Sequence, residues 1–305
     1  MHASIAASFG KMVETTVKSG LRKLVGLMQS LLFYFRHLSR KVYGSEVLRP
    51  PSDRAAFFAP VAAGSMSILE IGPLHTPICR RPHCNVEYID VFSTAQLKKI
   101  YASDPHVPTE SIVEVDHVWT NQSYLDLVGK TVDAVVSSHN IEHTPCLLQF
   151  LLNLEGCLNK SGAVYLAIPD KRYCFDHFKS ESSLEEVILA YYDKRARHSA
   201  SALLAQQLLV THNDGWKHWL GHHGQPAFVS QDVPAGGWIK KIADEIKAHA
   251  HCPSYVDTHA WIFTPTSFAR LISSLQSLGF TSLRAEVVHE TAFGSHEFYA
   301  LLRKA

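Results

Sequence analysis

The feature that most constrains this chain is a series of five short apolar runs, several of them separated by helix-like stretches. They are Ser67 to Gly72, Asn85 to Asp90, Ser111 to Asp116, Val132 to Ser138 and Ala163 to Pro169. Each is strand-length, and most end in a glycine, an acid or a serine. Leu147 to Leu158 has helical periodicity and stops at Asn159-Lys160-Ser161-Gly162. Strands alternating with helices predict a parallel sheet covered on its faces. Further on, Thr264 and Pro265 sit where a helix N-cap and first helical residue belong, and the helix should run to Leu278 and end at Gly279. Two closing strands are expected over Thr281 to Val288 and Glu297 to Arg303.

Three regions separate. Residues 1–52 form an N-terminal helical extension that Arg49-Pro50-Pro51-Ser52 must break. Residues 53–305 form the main domain, and 177–255 interrupt its pattern as an insertion beside the ligand cleft. Leu24 to Phe35 is apolar, but at 12 residues it is short of the ~20 needed to cross a bilayer. It is expected to pack on the domain, and peripheral membrane contact is the other use of such a helix. Hydrophobic residues at 46%, charged residues at 19% and a net charge of +1 describe an ordinary globular protein with no general attraction to nucleic acid. The six cysteines, at 79, 84, 146, 157, 174 and 252, make no Cys-x-x-Cys pair, which suits a cytoplasmic protein with reduced thiols.

Chemistry-bearing residues fall at the strand ends. Gly72 ends the first run, where a glycine lets a ligand approach the backbone. Asp90 ends the second, 18 residues later, where an acid can accept hydrogen bonds from both ribose hydroxyls. The fourth run leads into Ser138-His139-Asn140-Ile141-Glu142-His143, and the fifth into Asp170-Lys171-Arg172-Tyr173-Cys174-Phe175-Asp176. In an open parallel sheet these carboxyl ends form one ligand-binding rim.

With Glu70-Ile71-Gly72-Pro73-Leu74, Asp257-Thr258-His259-Ala260-Trp261 and the final Glu297 to Arg303 run, these segments resemble the class I S-adenosylmethionine-dependent methyltransferases. More narrowly, they are similar to a bacterial group associated with polysaccharide biosynthesis. The resemblance covers roughly residues 50–305 and is weakest over 180–255. It implies a Rossmann-like α/β sheet, mostly parallel, whose last strand is antiparallel, with the helical insertion after the fifth strand. It implies S-adenosylmethionine as cofactor, with Glu70, Gly72 and Pro73 at the methionine end and Asp90 on the ribose. Either Asp116 or Asn121 would flank the adenine, and Ser138 and His139 would lie beneath the sulfonium. The family's glycine-rich loop is reduced here to Gly72, and 13 residues separate it from Val86, too few for a full crossover helix.

The implied activity is O-methylation of a small-molecule, sugar or glycan acceptor, with the glycan part resting on family association alone. Removing a hydroxyl proton calls for a base, and the candidates are His259, favoured for its place between the insertion and the Thr264 helix, then Asp170 and His139. The histidines at 212, 218, 222, 223 and 249, with Asp214, match no metal-binding spacing, and no metal is expected. Trp216, Trp219 and Trp238 could stack on a sugar or simply pack the insertion. Two other classes compete. A non-catalytic or partner-dependent relative would explain the thinned loop. An NAD-dependent Rossmann oxidoreductase would need Gly-x-Gly-x-x-Gly, which the chain lacks.

Overall fold

A computed structural model describes residues 47–48, 54–62, 64–234, 236–251 and 255–304. Eight strands form one sheet: β1 (Val47–Leu48), β2 (Ser67–Ile71), β3 (Asn85–Asp90), β4 (His117–Val118), β5 (Val132–Ser138), β6 (Leu158–Pro169), β7 (Leu283–His289) and β8 (Glu297–Lys304). Their order is β1-β7-β8-β6-β5-β2-β3-β4. All neighbours pair in parallel except β8, which runs antiparallel to both β6 and β7. This is the Rossmann-like sheet expected of class I methyltransferases, with β1 added at one edge. The carboxyl ends of β2 to β6 therefore lie along one rim, and β8 begins there.

The strands form where the apolar runs predict, because parallel strands are buried on both faces and need near-continuous apolar sequence. Leu69, Val135, Val164 and Leu166 face one layer, where helices α4 (Leu147–Cys157) and α10 (Pro265–Ser277) bury Leu151, Leu154, Phe268 and Ile272. Each such side chain contributes ~1.5–3 kcal/mol relative to exposure. Thr264 caps α10 in a capping box with Ser267, Pro265 follows it, and Gly279 takes φ +77° beyond its end. Three shorter helices precede or flank these: α1 (Arg54–Ala62), α2 (Thr94–Ile100) and α3 (Tyr124–Val128). The opposite face of the sheet is covered by α1, whose Phe57, Phe58 and Val61 pack on Tyr88, Tyr165 and Tyr299.

Between β2 and β3 there is no helix, as the short spacing required. Turns carry residues 72–84 instead, held by Tyr88 Oη, which donates to the Cys79 carbonyl at 2.6 Å. Two expectations fail. Ser111 to Asp116 is not a strand: Thr109–Ser111 is a 3-10 turn, and Ile112 buries itself with Leu97 and Val107 beside the sheet. Only His117 and Val118 pair with β3. Val47 and Leu48, assigned to a helical extension, instead pair with β7. The helix expected earlier in 1–52, its membrane contact and Leu24 to Phe35 lie outside the described residues. Among the described residues, no helix is long and apolar enough to cross a membrane.

The insertion after β6 contains α5 (Leu184–Tyr192), α6 (Ala200–Leu208), α7 (Gly215–Trp219), α8 (Ala227–Ser230) and α9 (Gly237–His251). It is fastened near the rim. Trp219 stacks on Tyr173 with 3.8 Å between rings and donates from Nε1 to the Ser295 carbonyl at 2.8 Å. Trp216 packs edge-on against Phe293. These two tryptophans pack the insertion.

Candidate active site at the carboxyl rim of the sheet

The rim begins at Gly72, which takes φ +64° and donates its N–H to the Ile89 carbonyl at 2.9 Å. A Cβ there would meet Asn140 Nδ2 at 2.8 Å, so glycine is needed both for the turn and for the approach of Asn140. Pro73 follows and is buried. Asp90 is half-buried at the end of β3; its Oδ1 accepts from the Phe92 N–H at 3.1 Å, and burial raises its pKa. Tyr101, at the end of α2, feels Asp257 and Asp90 together; burial first, then these two charges, raises its phenol pKa.

Glu70 is placed differently from the expectation. It is 3% exposed, and its two oxygens accept from the N–H groups of Ile78 and Cys79 at 2.7 and 2.9 Å. It organises the helix-less connection instead of opening onto the rim. Burial raises its pKa from 4.5 to about 7 despite these bonds. The folded chain therefore holds a proton between pH 4.5 and about 7 that the unfolded chain releases, and stability falls as pH rises through that window. We expect Glu70→Gln to flatten this dependence. It also sets an amide N–H against one of the two backbone donors, costing about 1–2 kcal/mol at pH 5. Urea unfolding from pH 5 to 8 checks both.

Of the two adenine candidates, Asp116 lies at the start of β4, where it accepts from the Tyr88 N–H at 2.7 Å and pairs with Arg81. Asn121 follows β4 in an exposed turn at φ +81°, beyond the strand's carboxyl end. Asp170 is fully buried and committed. It grips Arg172, which donates from Nε at 2.9 and 3.0 Å, and it accepts from Thr291 Oγ1 at 2.6 Å. Arg172 also reaches Glu290 at 2.6 Å. This is an anchor for the turn after β6, with no lone pair turned to a substrate.

Ser138 and His139 stand in one polar network and His259 in a second, each with residues the linear reading gave no role. Arg54 donates to Ser138 Oγ and to Glu297 Oε2, both at 2.5 Å, tying α1 to the ends of β5 and β8. His139 takes φ +48°, and its Nε2 lies 2.7 Å from Glu297 Oε2. Burial works against Glu297's charge, but the His139 hydrogen bond and the Arg54 charge hold its pKa down to about 2. Burial likewise disfavours charged His139, yet the bond to Glu297 and the nearby Glu142 raise its pKa overall.

His259 is 8% exposed. Its Nδ1 lies 2.5 Å from Asp176 Oδ2, while Asp176 Oδ1 pairs with Lys179 Nζ at 2.7 Å. Burial would raise the Asp176 pKa; the His259 bond and the Lys179 charge lower it. An ionised Asp176 holds the His259 ring with Nε2 as the free nitrogen, the tautomer and orientation of a general base. That nitrogen lies 3.8 Å from Glu142 Oε1. His143 approaches the same oxygen with Nε2 at 3.8 Å, and its Nδ1 lies 2.8 Å from Asp257 Oδ1. The His143 bond, the largest cause, holds Asp257 at about 2.

The histidines of the insertion also gather, though not in the sets considered from sequence. His177, His218 and His223 cluster, with His218 Nδ1 and His223 Nδ1 3.1 Å apart. His222 and His212 meet through a carbonyl, at 2.8 Å. Asp214 caps α7, accepting from Lys217 N–H at 3.1 Å.

No protein-family model matches the chain, and no curated protein is similar to it in sequence. Solved structures give remote likenesses. The CcbJ methyltransferase from Streptomyces caelestis is 12% identical with a TM-score of 0.39, over 82% of this chain and 93% of that one. An S-adenosylmethionine-dependent methyltransferase from Mesorhizobium loti is 12% identical at 0.38, over 82% and 96%. A protein described as a zinc-dependent alcohol dehydrogenase from Rhodobacter sphaeroides is 10% identical at 0.38, over 84% and 91%. Likeness this remote assigns no activity to the chain, whose fold stands on its own strand order.

Proposed function

We propose that the chain is an S-adenosylmethionine-dependent methyltransferase that methylates a hydroxyl, with a sugar or glycan intermediate as acceptor. The observation that carries this reading is the rim itself. A left-handed Gly72 and a half-buried Asp90 stand at the ends of adjacent parallel strands, and the Ala260 N–H, bonded to the Glu142 carbonyl in the turn after β5, ties the segment carrying the buried His259–Asp176 pair to the same rim. The residues fit the cofactor unevenly. Asp90 suits a ribose diol. The Asn140 amide over Gly72 offers a donor to a carboxylate. Glu70 is withdrawn, so the methionine end has to be held by Asn140 and the turn at Gly72 and Pro73.

When bound, the cofactor supplies a methyl group on a sulfonium that departs as a neutral thioether. The protein's own part is positioning and proton handling. His259 Nε2 takes the acceptor's hydroxyl proton, and Asp176, itself held by Lys179, stabilises the imidazolium. The Phe175 ring lies 4.6 Å from His259. The sugar reading draws on the resemblance of the strand-end segments to the polysaccharide-associated group. It is tested by incubating the protein with methyl-labelled S-adenosylmethionine and a panel of sugars, nucleotide sugars and oligosaccharides. Label on a hydroxyl of one sugar class is expected. Label on phenols or amines alone would move the acceptor to another class.

A further inference from the structure

Glu142 is 1% exposed, and neither of its oxygens has a hydrogen-bond partner among the described residues. The nearest donors are ring nitrogens: His139 Nδ1 at 3.6 Å, His143 Nε2 at 3.8 Å and His259 Nε2 at 3.8 Å. These are too long for hydrogen bonds, and a buried carboxylate left bare is costly. We propose that Glu142, His143 and His259 bind a divalent transition-metal cation of the zinc type.

One ligand atom from each of the three residues falls within a 4.8 Å group. Metal–ligand bonds of ~2.0–2.2 Å hold neighbouring ligand atoms a little over 3 Å apart, so the two 3.8 Å separations from Glu142 Oε1 are already close to that spacing, and no pair in the set exceeds 4.8 Å. The far nitrogen of each ligating histidine already meets a carboxylate, Asp257 for His143 and Asp176 for His259. That carboxylate–histidine arrangement orients imidazoles toward a metal. The backbone is pre-set as well. Glu142 and His143 share one 3-10 turn, and the Ala260 N–H donates to the Glu142 carbonyl at 2.8 Å, which fixes the His259 segment against that turn. Two imidazoles and one carboxylate suit zinc and its neighbours and are poor ligands for magnesium.

The insertion cluster does not compete. His177 and His223 stack face to face at 3.8 Å with 11° between planes. His177 Nδ1 meets the Arg172 carbonyl, His218 Nε2 the His212 carbonyl, and His218 Nδ1 the His223 ring. Neutral imidazoles satisfy one another there.

Binding of the cation stands without the methyltransferase reading; its role rests on it. With three protein ligands, an open position remains for an acceptor hydroxyl, whose proton the cation acidifies and releases to solvent water. His259 Nε2 is then a ligand, and its action as a free base belongs to the metal-free protein.

The test is calorimetric titration of chelator-treated protein with Zn²⁺, and with Co²⁺ followed by visible absorption. One site per chain is expected, about 100-fold weaker or more in Glu142→Gln and in His143→Ala, and unchanged in His218→Ala, with each variant's fold checked by circular dichroism. No binding to the folded wild type, or binding that survives Glu142→Gln and His143→Ala, overturns the proposal. S-adenosylhomocysteine is titrated separately: cofactor binding without metal removes only the cation, and metal binding without cofactor removes only the methyltransferase reading.

Discussion

Asp170→Ala is expected to lower stability by about 3 kcal/mol while leaving the reacting groups in place. The Asp170 carboxylate is fully buried and accepts from Arg172 Nε and from Thr291 Oγ1. Removing it leaves the guanidinium, three-quarters buried, with Glu290 as its remaining carboxylate partner. For a domain of this size the loss corresponds to a fall of roughly 6–12 °C in Tm. Calorimetric melting checks it. A variant that melts like the wild type but transfers no methyl would instead make Asp170 the proton acceptor.

His259→Gln is expected to behave in the opposite way. Its amide can still donate to Asp176, so the melting temperature stays close to that of the wild type. The nitrogen that faces Glu142 is lost as proton acceptor or metal ligand, and methyl transfer falls by about 10²–10⁴. The fall lies in kcat, with affinity for S-adenosylhomocysteine unchanged, because His259 is proposed to take the acceptor's proton and to make no contact with the cofactor. A fall in cofactor affinity without a fall in kcat would place His259 in the cofactor site.

Most of the sheet was legible because buried parallel strands advertise themselves. Leu69, Val135 and Val164 sit in apolar runs with no competing use. The run from Ser111 to Asp116 misled for a physical reason: two of its apolar residues, Ile112 and Val115, serve a small cluster under α2, a job that needs no strand. Val47 and Leu48 were illegible as a strand because two residues carry no periodicity and their pairing depends on β7, about 240 residues away.

The site was legible on one side only. His139 and His259 drew attention as histidines at strand ends and segment boundaries. Their partners did not. Glu297 lies 158 residues from His139, and Asp176 lies 83 from His259. Glu142 was visible inside Ser138 to His143 but had no assigned task, since nothing local shows that it is buried and bare. The available signal was that Glu142, Asp176 and Glu297 all fall within the strand-end segments that carried the resemblance. Glu70 was misplaced because two-residue contacts to backbone N–H groups, unlike side-chain pairs, leave no trace in residue types.

The central claim is that the rim holds S-adenosylmethionine. The most direct measurement is calorimetric titration of the full chain with S-adenosylmethionine and S-adenosylhomocysteine, repeated on Asp90→Ala. Micromolar binding at one site per chain is predicted, weakened about 10- to 100-fold in the variant by loss of two charge-assisted hydrogen bonds to the ribose. No heat with either ligand on folded wild-type protein, or binding indifferent to Asp90, would contradict it.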